Sequence, residues 1–190
     1  MNKQKLAVII LSLAVIVMVA MGATSAYFAT SEKAHNVITS SGVGVELIEH
    51  RINDNGEMVP FEDITDAEPG ETYSKIPQVF NNDDGDVWVR VKVLRTAKLR
   101  DGTVLEEEDD KLVVDFDNVN WLQGDNNYYY YNRSLKNGEL TEPLFTEVKI
   151  AEELDNKYNG ATFGLKLIAQ AVQVANNGSD VLSAEGWPEE

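Results

Sequence analysis

The sequence predicts a mainly β protein, a two-sheet antiparallel β-sandwich with one or two short helices, behind an N-terminal export signal. Three observations predict this fold class. Beyond Tyr27, most of the chain alternates apolar and polar residues with a period of two, which is typical of half-buried strands. Short clusters of Asn, Asp and Gly separate these runs, as turns do in a sandwich. Long helical patterns are scarce.

The N-terminus has the layout of a secretory signal peptide over residues 1–26. Two lysines precede an apolar stretch, 6–22, and small residues lead to a cleavage point between Ala26 and Tyr27. The apolar stretch approaches the about 20 residues that span a bilayer, so an uncleaved membrane anchor is the alternative. Cleavage is favoured because no basic stop-transfer cluster follows. In both cases we expect the rest of the chain to leave the cytoplasm.

The net charge of the chain argues against two classes of binding partner. There are 32 acidic and 16 basic residues, for a formal charge of −16, and removal of residues 1–26 takes away two basic residues and lowers it to −18. A chain this acidic repels nucleic acid and anionic lipid, so neither is an expected partner, and a membrane enters only through an uncleaved signal segment. The chain has no cysteine, so stability must come from packing rather than from disulfides.

The predicted strands follow one another along a single domain, 43–190. Their patterns cover residues 43–50, 73–81, 86–95, 111–121, 128–131, 144–150 and 161–175. The clearest is 86–95, in which four valines face one way and Trp88, Arg90 and Lys92 face the other.

Two stretches, 150–158 and 179–187, have the pattern of one or two helical turns, and Ser179 is a candidate N-cap for the second. Residues 106–110 (EEEDD) predict a solvated loop. Residues 81–86 (NNDDGD) are the best calcium candidate, but the acidic first ligand and the bidentate Glu of an EF-hand loop are missing. We therefore expect a tight turn between two strands there.

Catalytic motifs are sparse. The only histidines, His35 and His50, have no Glu or His at a zinc-ligand spacing, and the chain has no H-E-x-x-H, no G-x-S-x-G and no thiol. No catalytic, cofactor-binding or metal-binding residue is assigned on this basis, and we expect a protein that is not an enzyme.

Four consecutive tyrosines, 128–131, raise a separate question. In a strand, Tyr128 and Tyr130 share one face and Tyr129 and Tyr131 share the other. One pair is expected in the core, and the other on the outer face, where aromatic rings support neighbouring strands, stack on sugar or contact another subunit. Structural packing is the favoured role, and Tyr129 and Tyr131 are taken as the candidate contact surface.

An ordered set of segments resembles the TasA and camelysin family, secreted proteins of Firmicutes that a SipW-type signal peptidase processes. The segments are GATSAYFATSEKAHNVITSSGVGVELI (22–48), EPGETYSKIPQVFNNDDGDVWVRVKV (68–93), NYYYYNRSLKNGELTEPLF (127–145) and TFGLKLIAQAVQVA (162–175). The resemblance implies a jelly-roll sandwich and a cell-surface or matrix location. For TasA-like members it also implies fibres in which the N-terminal strand of one subunit completes the sandwich of the next.

Residues 27–42 fit the role of such a donor segment. They are modestly charged and carry apolar Tyr27, Phe28, Val37 and Ile38. An open sheet edge accepts an extended segment through main-chain hydrogen bonds. The partner is then a second copy in a head-to-tail homopolymer, or a paralogous fibre subunit. Signal removal frees the segment and acts as the assembly switch.

Two alternatives stay open. A camelysin-like surface metalloprotease predicts zinc and a need for His35 and His50, although no zinc motif supports it. The second alternative is an accessory or glycan-binding surface protein, and only its glycan-binding form depends mainly on Tyr129 and Tyr131.

Overall fold

The computed structural model of the protein describes residues 44–62, 64, 67–106 and 110–188. Several predicted features lie outside the described residues: the signal peptide, the cleavage point between Ala26 and Tyr27, His35, and the donor segment with Phe28, Val37 and Ile38. Within the described ranges, no helix combines the length and the apolarity that a membrane crossing requires.

The described chain is mainly β, which confirms the predicted fold class. The strands are β1 (Val45–Ile52), β2 (Met58–Pro60), β3 (Thr72–Ser74), β4 (Ile76–Asn81), β5 (Val87–Lys98), β6 (Val104–Glu106), β7 (Leu112–Val114), β8 (Trp121–Gln123), β9 (Tyr128–Tyr131), β10 (Glu147–Ile150) and β11 (Thr162–Gln173).

Helix is reduced to a single 3₁₀ turn, Asn156–Tyr158, within the described residues. The helix predicted over 179–187 does not form. Instead of Ser179 capping a helix, the Asp180 carboxylate accepts hydrogen bonds from the backbone N–H groups of Leu182 and Ser183, each at 3.0 Å. These side-chain to backbone hydrogen bonds take the place of helical backbone hydrogen bonds, and the segment forms a turn instead.

The first layer joins two short sheets of order β2–β1–β4 and β3–β10–β7. Only Lys75 separates β3 from β4, and the chain between β9 and β10 runs along β4. The N–H of Asn81 donates to the carbonyl of Glu139, and the N–H of Leu144 donates to the carbonyl of Pro77, both at 3.0 Å. The pairing is antiparallel throughout.

The second layer has the order β11–β5–β9–β8, with β6 added to the far end of β5. Its strands are also antiparallel. The chain passes from one layer to the other between β4 and β5, on both sides of β7, and on both sides of β10. The two layers share one apolar core, as a sandwich requires.

The core lies between the layers and is dense in aromatic residues. The predicted inner face of β5 is confirmed, because Val87, Val89, Val91 and Val93 are at most 3 % exposed. The largest fully buried side chains are Trp121, Tyr131 and Phe145. The strand predicted from 144 begins only at Glu147, since Leu144 and Phe145 turn into the core before it.

The outer face of β5 is less exposed to solvent than expected for a half-buried strand. Trp88 points outward as expected, but it is only 7 % exposed because the C-terminal segment 174–188 packs over it. The indole N–H of Trp88 donates to the carbonyl of Asn177 at 2.9 Å. Val181 and Ala184 of the same segment complete a second, smaller apolar cluster.

Candidate functional site: an open strand edge

The second layer ends at β11, which pairs with β5 over all 12 of its residues, from Thr162 opposite Lys98 to Gln173 opposite Val87. Among the described residues β11 pairs with no strand on its other side. This long edge is the most distinctive feature of the fold.

The direction of the β11 backbone groups follows from the β5 ladder. The N–H groups of Val87 and Val93 donate to Leu135 and Asn127, away from β11. Because backbone groups alternate along a strand, the intervening β5 residues bond to β11. Alternate β11 residues therefore direct their N–H and C=O groups away from β5. Four of them lie within the stretch from Thr162 to Ala169, where no backbone partner in the described chain meets them. They are Phe163, Leu165, Leu167 and Ala169.

The amino-acid composition of the β11 edge favours the addition of another strand. Between Thr162 and Gln173 there is no proline, and Lys166 is the only charged residue. Natural edge strands are usually short, charged, interrupted by proline or covered, because an exposed ladder templates the addition of another strand. The opposite edges of the two layers follow that rule. There β7 and β8 have three residues each, and the N–H of Trp121 is taken by the carbonyl of Asp117 at 3.1 Å.

The first layer presents a second free edge on the same side. Strand β1 pairs with β4 from Val45 to His50 but with β2 only from His50 to Ile52. The N–H of Asn82 donates to the carbonyl of Gly44 on the β4 side, so Val45 and Leu47 direct their backbone groups away from β4. Their side chains are buried in the core.

The edges of β1 and β11 border each other where the two layers meet, and we call this boundary the seam. Some Cα atoms of β1 and β11 lie within 8 Å of each other, although the strands share no ladder. A strand placed between two others needs about 9.6 Å, twice the usual strand spacing. A further strand must therefore widen the seam or pair with the part of β11 that extends beyond β1. The latter is available because β1 has eight residues and β11 has 12.

In the sequence, the predicted donor segment precedes β1, one of the two strands that border this seam. The described chain begins at Gly44, immediately before β1, and the N–H of Gly44 donates to the Asp83 carboxylate at 3.2 Å. Residues 27–42 precede that anchor, and an extended chain of this length spans about 50 Å. The segment is therefore long enough to reach either the β11 edge of its own subunit or that of another.

The tyrosine prediction needs correction. Tyr129 and Tyr131, taken as the contact surface, are 5 % and 0 % exposed and belong to the core. Tyr129 stacks on Phe116 with ring centroids 4.0 Å apart. The outward pair is Tyr128 and Tyr130. Four identical residues give no local signal of which pair faces inward, and the choice comes from the pairing of β9 with β5.

In the part of the chain that the structure describes, neither His50 nor the NNDDGD turn forms a recognisable metal site. His50 lies on β1 with a buried Nδ1 that has no hydrogen-bond partner in the described structure. The predicted tight turn between β4 and β5 is confirmed, with Asn81 as its buried centre. In the described ranges, no group of three His, Cys, Asp or Glu side chains is placed to hold a metal ion.

Sequence reasoning predicted the strand over 161–175 but not its position at an edge. The signal that was available is the length of this apolar run without proline and with a single charge. That signal becomes informative only when no neighbour covers the strand.

Comparisons of the chain with protein-family models, with curated proteins and with solved structures find no match. The resemblance to the TasA and camelysin family therefore stays a prediction.

Proposed function

We propose that the protein is a secreted structural subunit of extracellular matrix or cell-surface fibres. The observation that carries this proposal is the edge of β11 from Phe163 to Ala169, which faces no strand among the described residues, holds a single charge and has no proline. In a soluble subunit such an edge is a liability, and its natural use is the addition of another strand.

The occupant of the edge is residues 27–42 of a neighbouring subunit. Phe163, Leu165, Leu167 and Ala169 offer N–H and C=O groups that an incoming strand can pair. The apolar Tyr27, Phe28, Val37 and Ile38 supply side chains for the seam between β1 and β11. Main-chain bonds give affinity in such contacts, and alternate side chains give specificity.

This contact generates fibres rather than closed rings. Donor and acceptor are different surfaces of the same subunit, so each added copy presents a new free edge. The formal charge of −18 on the processed chain makes the subunits repel one another, and salt screens that repulsion over about 10 Å at 0.1 M. We expect assembly of the processed chain to accelerate as ionic strength rises.

In this proposal, removal of the signal peptide triggers fibre assembly. While residues 1–26 are attached, the donor segment is tethered to the export machinery, and a SipW-type signal peptidase releases it. The same surface also serves a subunit that anchors or nucleates fibres of a paralogue, because strand addition then occurs with an unlike partner.

The test uses the processed chain, residues 27–190, imaged by electron microscopy after a rise in salt. Filaments are expected from the unaltered chain and not from a deletion of residues 27–38. A synthetic peptide of residues 27–42 should arrest elongation by occupying free edges, and a scrambled peptide should not.

The acceptor edge is tested with proline. Leu165→Pro removes an N–H that points to the free edge and spares the β5 ladder, so it should stop filament growth while circular dichroism remains β-rich. Gln123→Pro is the matched control, since its N–H points to the free side of β8 at the opposite end of the layer. Filaments of unchanged abundance in the deletion or in Leu165→Pro would overturn the proposal.

A further inference from the structure

A second feature, independent of the β11 edge, lies on the outer face of the second layer. There β5 places Arg90 between Tyr130 of β9 and Gln170 of β11. The guanidinium Nε donates to the side-chain oxygen of Gln170 at 2.7 Å, and Nη1 approaches the Tyr130 hydroxyl at 3.4 Å. Its Cζ lies 4.0 Å from the ring centroid of Tyr128 and 4.5 Å from that of Trp187.

The partners of Arg90 are unusual for this chain. Acidic residues outnumber basic ones two to one, and Arg51 and Arg133 each bind a glutamate. In the described part of the chain the half-buried Arg90 binds no carboxylate, and its polar contacts are both neutral. A guanidinium carries five N–H donors, so the outer part of its fork is unused by the described residues. A planar, fixed fork of this kind matches a carboxylate or a phosphate.

The surroundings hold the guanidinium in place. Gln170 is 1 % exposed, and its amide donates to the carbonyl of Pro188 at 3.3 Å. The indole N–H of Trp187 donates to the carbonyl of Ala184 at 3.0 Å. Because Gln170 and Trp187 are themselves anchored, little side-chain freedom is left to lose on their side of Arg90 when an anion binds.

The loop that carries Trp187 is closed by its own reciprocal pair of hydrogen bonds. The side-chain amide of Asn177 donates to the carbonyl of Glu185 at 3.0 Å, and the N–H of Glu185 donates to the Asn177 side-chain oxygen at 2.8 Å. Trp187 thus reaches Arg90 from a fixed loop rather than from a free C-terminus.

We propose that Arg90, framed by Tyr130 and Trp187, binds an anionic group on a saccharide polymer. The guanidinium holds the carboxylate or phosphate, and the two half-buried rings contact the apolar face of the adjacent sugar. These rings stand at 80° to each other with centroids 6.0 Å apart, which forms a corner rather than a flat platform. The ligand class is an acidic glycan, because the aromatic corner adds sugar contacts that a bare anion does not use.

This site would tether a fibre subunit to acidic polysaccharide around the cell. It differs from the tyrosine surface predicted from the sequence, because Tyr129 and Tyr131 are in the core and the outward residues are Tyr128 and Tyr130. It also uses the face of the second layer, whereas strand addition uses its edge.

The test is calorimetric titration of the soluble processed chain at low salt, with tryptophan fluorescence as a second readout. The probes are oligogalacturonate for a carboxylate source, its methyl ester as the uncharged match, and polyglycerol phosphate for a phosphate source. Binding of at least one anionic probe is expected, and the preferred probe identifies the source of the anion. The methyl ester should bind at least about tenfold more weakly than oligogalacturonate if the carboxylate is preferred.

Two variants test the residue itself. Arg90→Gln should weaken binding by about tenfold or more, and Arg100→Gln is the matched control, since Arg100 is exposed on the following turn. Gln170→Glu places a carboxylate of nearly the same shape against Arg90, so it should compete with the ligand while the thermal melt shows a folded protein.

Failure to bind either anionic probe at millimolar concentration would overturn the proposal. So would equal binding by the wild type and Arg90→Gln, or an equal loss in Arg100→Gln. Electron microscopy of Arg90→Gln separates this site from fibre assembly, because filaments should form as in the wild type. Absence of filaments from the wild type, with probe binding intact, would count against fibre assembly at the β11 edge and leave this site standing.

Discussion

The hydroxyl of Tyr131 donates a hydrogen bond to one carboxylate oxygen of Glu142, while Arg133 binds the other oxygen at 2.5 Å. Tyr131 is fully buried on β9, and Glu142 lies in the chain that leads to β10. Burial, together with the bond to Glu142, raises the pKa of Tyr131 to about 12. The hydrogen bond from Tyr131 lowers the pKa of Glu142, and Arg133 lowers it further. The stability of this contact, which joins β9 to the chain before β10, therefore depends on pH.

The first prediction concerns alkaline pH. The folded state raises the pKa of Tyr131 above the ordinary value of 10.0, so the neutral phenol stabilises the fold below pH 10 and that contribution is lost as pH rises towards 12. The shift corresponds to about 2–3 kcal/mol. Urea unfolding between pH 8 and pH 12 should show a smaller decline for Tyr131→Phe than for the wild type. Parallel declines would show that Tyr131 does not carry the effect.

The second prediction concerns acid pH. The folded state lowers the pKa of Glu142 below its ordinary value of 4.5, so its contribution is complete above that value and is lost as pH falls through the folded pKa. Glu142→Gln should be less stable than the wild type at pH 7, and the two should converge towards pH 3. Glu139→Gln serves as the control at a nearby exposed position. A constant difference from pH 7 to pH 3 would contradict the prediction.

The third prediction concerns Asn81, which is completely buried at the turn between β4 and β5. Its side-chain amide donates to the carbonyls of Gly85 and Leu135 at 2.8 and 2.9 Å, and its side-chain oxygen accepts from the N–H of Asp83 at 2.9 Å. Asn81→Ala leaves these groups without a partner and should lower the free energy of unfolding by about 2–4 kcal/mol. The exposed neighbour provides the comparison, since Asn82→Ala should change it by less than about 0.5 kcal/mol.

The fourth prediction concerns the buried ion pair of Lys75 and Glu49, in which Lys75 is only 5 % exposed. The ammonium also lies 3.6 Å from the ring centroid of Phe61. Lys75→Met leaves the Glu49 carboxylate buried without its cation and should reduce the free energy of unfolding by about 3–5 kcal/mol.

Combining Lys75→Met with Glu49→Leu should restore much of that loss, because an apolar pair of similar volume avoids the desolvation of two charges. Chemical denaturation of the two single variants and the double variant measures the coupling. Additive losses would show that the two charges do not depend on each other.

The fifth prediction concerns Gly124, which follows β8 directly beneath the ring of Tyr130. A Cβ at this position would lie 2.5 Å from a ring carbon of Tyr130, so the ring must move. Gly124→Ala should lower the free energy of unfolding by about 1–3 kcal/mol. It should also weaken binding of the oligogalacturonate probe, because Tyr130 frames Arg90.

A double variant tests this coupling. If the clash is the cause, Gly124→Ala should have little effect on stability in a Tyr130→Ser background, where the ring is absent. An undiminished effect in that background would point to the backbone at residue 124 instead.

Local pattern predicted the long strands well because inner and outer positions alternate within one segment. The pattern of β5 predicted its four inward valines, and the run over 161–175 predicted β11. It failed over 111–121, where one strand was expected. There the carboxylate of Asp117 accepts hydrogen bonds from the N–H groups of Val119 and Asn120 at 2.9 and 3.2 Å, and this turn separates β7 from β8.

The sequence by itself determined that the chain is an antiparallel β-sandwich and which face of β5 enters the core. Both follow from the order of residues within short segments, where alternation decides burial. Only the tertiary structure decided that Tyr129 and Tyr131 face inward, that β11 pairs with β5 alone among the described strands, and that Arg90 meets Gln170 and Trp187. These properties depend on which distant strands become neighbours and in what register. Many different local sequence patterns give similar strand-pairing energies, so the pattern alone does not select the neighbour or the register.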